Sequence, residues 1–101
     1  MGEARISIPK ERLVEFCKRN RVRRLSLFGS ALRDDFGADS DIDILLEFES
    51  DAHVGLIRFA GLEIELSQIL ERKVDLNTPG FLSKYFRNQV LSEAVVHYDA
   101  P

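Results

Sequence analysis

The chain has 101 residues, 45% of them apolar and 31% charged, with a formal net charge of −3; this excludes disordered and fibrous classes and argues against wholesale coating of nucleic acid. The net charge hides a split, because residues 1–33 hold nine Lys/Arg and three Asp/Glu (+6), whereas residues 34–101 hold five and fourteen (−9). Arg58, Glu63 and Glu65 interrupt the longest apolar stretch, MGEARIS lacks a secretory signal's apolar run, and the single Cys17 cannot form an internal disulfide, so a cytoplasmic single domain over 1–101 is expected, with no membrane contact.

In chain order, Ser7, Pro9 and Glu11 read as a helix start, and Leu13, Val14 and Cys17 then share one face at helical spacing. Val22 to Phe28 alternates, placing Val22, Arg24, Ser26 and Phe28 on one side and Arg23, Leu25 and Leu27 on the other; Gly29 ends that strand. A short helix fits residues 30–33, followed by turn-rich sequence to Ser40. Asp41 to Glu49 is the strongest strand signal in the chain. Val54 to Leu70 is long enough for a helix, and its apolar surface suits a partner as well as a core. Lys73 to Asn77 reads as a short strand, and Thr78-Pro79 as the start of a last helix from Phe81 to about Leu91. This order predicts an α/β (α+β) domain with a small mixed sheet of three to four strands and helices mainly on one face.

Two carboxylates carry the first chemical signal. On a strand, Asp41 and Asp43 project from one face while Ile42, Ile44, Leu46 and Phe48 line the other. With Cα atoms roughly 6.5–7 Å apart, the pair repels by about 2–4 kcal/mol at an effective dielectric near ~20. Hard oxygen donors at that spacing suit magnesium together with substrate phosphates. Asp75 leaves the polar face of the later strand and joins the pair if the two strands are neighbours. Three carboxylates around one or two magnesium ions make a phosphoryl- or nucleotidyl-transfer site. Gly29 permits a tight turn and close backbone approach, and Ser30 offers a hydroxyl at a helix start that attracts phosphate.

Gly29-Ser30, ten intervening residues and then Asp41-Ile42-Asp43 resembles the signature of the DNA polymerase beta-like nucleotidyltransferase superfamily. The stretch from Phe28 to Phe48 is similar to its small stand-alone branch, the minimal nucleotidyltransferases, and the likeness continues more loosely through Lys73-Val74-Asp75-Leu76-Asn77-Thr78. The resemblance implies that Asp41, Asp43 and Asp75 are catalytic and hold magnesium, expected as two ions, and that Gly29 and Ser30 bind the phosphates of ATP. Arg33 is a further candidate phosphate ligand, although many members carry Arg-Gly where this chain has Leu32-Arg33-Asp34. It also implies a partner: family members are commonly the antitoxin of a type VII-like HEPN/MNT pair, whose HEPN ribonuclease toxin is encoded by a neighbouring gene. Some transfer AMP from ATP to a tyrosine hydroxyl of that toxin, as a protein adenylyltransferase. The alternative is a non-catalytic module that masks its partner sterically, and direct nucleic-acid binding is not expected.

The remaining polar features have plainer readings. Glu47 shares the face of the Asp pair but lies roughly 13 Å away along the strand, which favours a surface role. Cys17 on an apolar helical face reads as a small core residue. The run Lys18, Arg19, Arg21, Arg23 and Arg24 reads as a solvated helix end and strand edge, the alternative being a contact surface for an acidic protein or for RNA held by the partner.

Overall fold

The computed structural model describes residues 8–29, 41–82 and 84–100, without the side chains of residues 81 and 84–86. Its elements are α1 (Lys10–Arg19), β1 (Val22–Phe28), β2 (Ile42–Phe48), α2 (Leu56–Leu70), β3 (Val74–Asn77), a 3₁₀ turn (Pro79–Phe81), α3 (Lys84–Glu93) and β4 (Val95–Asp99). The helix expected over 30–33 lies outside the described residues, and so do Ser30 and Arg33.

The four strands form one mixed sheet in the order β3-β2-β1-β4. β1 runs antiparallel to β2 and β4, whereas β2 and β3 are parallel. Parallel neighbours need a long crossover, and the 15-residue α2 provides it. One apolar cluster holds the helices to one sheet face. It joins Leu13, Phe16 and Cys17 of α1 and Leu62, Leu66, Ile69 and Leu70 of α2 to Leu25 and Leu27, Ile42, Ile44 and Leu46, and Val74 and Leu76. Burial pushes the Cys17 thiol up to about 12, which suits a packing residue and not a nucleophile.

The structure corrects three expectations. Val22 joins Leu25 and Leu27 in the core, because a register shift between Val22 and Arg24 inserts one extra residue against β2. The last helix begins at Lys84, because Pro79 opens a 3₁₀ turn closed by the Leu82 amide donating to the Pro79 carbonyl at 3.2 Å. A fourth strand, β4, follows α3 after Ala94 alone, with no glycine or proline to announce it.

The charge split resolves into pairs that cross the fold. Arg19 binds Glu65, Arg21 binds Asp51 at 2.6 Å and Glu49 at 3.3 Å, and Arg23 binds Glu47 at 3.2 Å. Arg24 approaches Glu47 at 3.8 Å and Asp99 at 3.6 Å. Arg19, Arg21, Arg23 and Arg24 of the basic first third are thereby matched by acids from α2, β2, the turn after β2 and β4.

β3 lies at the sheet edge, where outward N–H groups invite another strand. Two side chains one helical turn apart on α2 occupy that edge: Val74 N–H donates to Ser67 Oγ at 3.1 Å and Leu76 N–H to Glu63 Oε2 at 2.9 Å. Replacing Ser67→Ala should cost about 1 kcal/mol and accelerate amide exchange at Val74 more than at Leu76. Equal protection of Val74 in both proteins would show that this clamp does not hold β3.

Candidate active site

The polar face of the sheet is ordered in rows by strand register. Asp43 pairs across β1 with Phe28 and across β3 with Asp75, and the next row places Ser26, Leu45 and Asn77 side by side. Alternation along each strand sends these side chains to the face opposite the Leu13–Leu76 cluster. Asp43 and Asp75 are thereby brought together from strands about thirty residues apart. Asp41 stands one residue before β2, two positions from Asp43, with its Oδ2 at 4.0 Å from Lys73 Nζ.

Gly29 bounds the same row. Its φ of +64° lies in the left-handed region, and a Cβ there would overlap Asp43 Oδ2 and come within 3.3 Å of Asp43 Cγ. Glycine is required at this position on both counts. The Asp43 carboxylate itself occupies the space that a side chain at position 29 would fill.

The carboxyls act on one another. Partial desolvation, followed by the charges of Asp43, Glu63 and Asp41, raises the Asp75 pKa above the ordinary carboxylate value, and Asp43 stands within hydrogen-bond reach of it. Glu63 therefore belongs to the electrostatic surroundings of the site, besides holding Leu76. It sits inside an apolar helical segment that alternates locally, and only the crossover of α2 onto β3 reveals its role.

The donor set fits a small hard cation: the acceptors are carboxylate oxygens, and Gly29 keeps the approach to Asp43 clear. Among the described residues, no three acidic, His or Cys side chains surround a common point. Glu47 stays out of the site. Its side chain is 16% exposed and engaged by Arg23 and Arg24.

Comparison with known proteins places this geometry among relatives. The profile of the Nucleotidyltransferase domain family matches residues 10–97. Protein adenylyltransferase MntA of Thermococcus cleftensis is 37% identical over 81 residues, covering 80% of each chain. A solved structure described as a minimal nucleotidyltransferase is 34% identical with a TM-score of 0.70, covering 85% of this chain and 86% of that one. A toxin–antitoxin structure with AMP-PNP superposes with a TM-score of 0.74 at 21% identity, over 92% of this chain and 75% of its own. A complex of tri-AMPylated Shewanella oneidensis HEPN toxin with MNT antitoxin superposes with a TM-score of 0.63 at 20% identity, over 90% of this chain and 70% of its own. At those two identities the likeness is one of fold. Among the described residues no helix is long and apolar enough to cross a membrane.

The raised Asp75 pKa sets a pH prediction for magnesium-free protein. A carboxyl harder to ionise when folded contributes stability below its unfolded value that is lost as pH rises through its folded value. Asp75→Asn should therefore gain melting temperature relative to wild type as pH rises through that window, and magnesium should narrow the gap. A difference independent of pH would contradict mutual repulsion at Asp75.

Proposed function

Because the chain belongs to the nucleotidyltransferase domain family, in its minimal branch, we propose that it transfers AMP from ATP to a tyrosine hydroxyl of a HEPN ribonuclease toxin encoded by a neighbouring gene. It acts on this reading as the antitoxin of a type VII-like pair. The observation that carries the proposal is the register of Asp43 against Asp75 with the side-chain-free Gly29 beside them. The names of the related MntA protein and of the AMPylated toxin complex support the choice of AMP as the group and a HEPN protein as acceptor.

Each residue has a part in this reaction. Asp41 and Asp43 are the ligands for magnesium, with Asp75 completing the set. Magnesium, when bound, offsets the charge of the triphosphate and of the leaving pyrophosphate. Gly29 lets the phosphates approach the backbone at the end of β1, and Ser30 and Arg33 follow in sequence as hydrogen-bond donors to the phosphate oxygens. Asp75, whose pKa is raised by partial desolvation and by the charges of Asp43, Glu63 and Asp41, takes the proton of the acceptor hydroxyl. The tyrosine oxygen then bonds to the α-phosphorus as the bond to the β-phosphate oxygen breaks. Pyrophosphate leaves with its electron pair.

The test is transfer of label from α-labelled ATP to the neighbour-encoded protein. Wild type should label that protein, and Asp41→Ala/Asp43→Ala should lower the rate by on the order of 10²-fold or more. A double variant that labels as fast as wild type would refute the assignment of these carboxylates. A double variant that binds its partner and protects cells fully, beside a wild type that transfers no nucleotide, would establish steric masking instead.

A further inference from the structure

The outward face of α2 has no counterpart within the described fold. Ile57 is 92% exposed and Ile64 61% exposed, while Leu56 at the start of the helix is 75% exposed. Ile57 and Ile64 are two helical turns apart, roughly 10.5 Å, and they bracket Ala60 and Gly61. A glycine in mid-helix forfeits stability relative to alanine. Yet a Cβ on Gly61 would meet nothing within 4 Å. The packing of the described residues gives no reason for glycine here. What the missing Cβ does provide is room for a second backbone to approach the helix closely.

The flanking charges identify that second backbone. Arg58 and Glu65 are also two turns apart and run along one flank of the Ile57–Ile64 stripe. A two-fold axis near Gly61 sets two antiparallel copies of α2 against each other. Ile57 of one copy then meets Ile64 of the other, and Arg58 meets Glu65 across the same flank, each pair occurring twice. A two-fold contact requires a stripe that complements itself, and this one does so in both its apolar and its charged positions. The existing contacts leave capacity for it. Arg58 donates one N–H to Asn20 at 3.1 Å and Glu65 accepts from Arg19, so the guanidinium keeps further donors and the carboxylate further lone pairs.

We propose that α2 is a self-association surface, on which a second copy of this chain docks antiparallel across Gly61. Because α2 covers the apolar face of the sheet, such a dimer leaves both rows of Asp43 and Asp75 open to substrate. The proposal stands independently of the transfer reaction.

Sedimentation velocity of the full chain across a concentration series tests it. Wild type should shift from monomer to dimer with rising concentration. Gly61→Leu should remain monomeric while keeping or raising its melting temperature, because leucine favours the helix and meets open space. Arg58→Glu should weaken the dimer by about tenfold or more through like-charge contact, and Arg58→Glu/Glu65→Arg should restore it. Wild type that stays monomeric throughout would overturn the proposal, including where this face takes up a different protein. A dimer unaffected by both Gly61→Leu and Ile57→Glu/Ile64→Glu would overturn it equally.

Discussion

The parallel pairing of β2 with β3 forces Asp43 and Asp75 side by side, and that enforced proximity of like charges governs the molecule. Left to themselves the carboxylates would separate. Their strands cannot, because Ile42 and Ile44 on β2 and Val74 and Leu76 on β3 bury the opposite face in the same apolar cluster. α2 sets the direction of the crossover, packs Leu62, Leu66, Ile69 and Leu70 onto that cluster, and holds the outer edge of β3 through Glu63 and Ser67. One face of the sheet supplies the stability that the other face uses to keep the carboxylates together.

The same division accounts for the uneven charge of the chain. Arginines at the end of α1, in the turn after it and on β1 find acids on α2, on β2 and the turn after it, and on β4. Exposed pairs of this kind add little stability individually. Their consequence is more local: Glu47 is taken up by Arg23 and Arg24, which removes it from the acidic row. Among the described residues, Glu63 acts on Asp75, and Lys73 lies 4.0 Å from Asp41.

Much of this was legible in the sequence, for identifiable reasons. Alternation separates Asp41 and Asp43 from Ile42 and Ile44, whereas Asp75 joins them only if the two strands are neighbours, a condition that the pairing of β2 with β3 meets for Asp43. Gly29 was readable as a turn, but its closeness to Asp43 depends on the end of β1 lying against β2. Val22 was misplaced because a bulge changes side-chain parity without leaving a sequence mark. β4 was missed because Val95 and Val96 are both about half exposed and follow a helix without a turn residue. Glu63 was invisible as a site neighbour, since its partner Leu76 lies thirteen residues on and is reached only through the tertiary fold.

The central claim is that Asp43 and Asp75, paired across parallel strands beside Gly29, form a metal and nucleotide site. A crystal grown with manganese and a non-hydrolysable ATP analogue tests it most directly through the anomalous signal of the metal. A manganese peak is expected within bonding distance of Asp43 and Asp41 or Asp75, with the phosphates against the Gly29 backbone. A nucleotide and metal held on another surface, with the Asp43 row untouched, would contradict it.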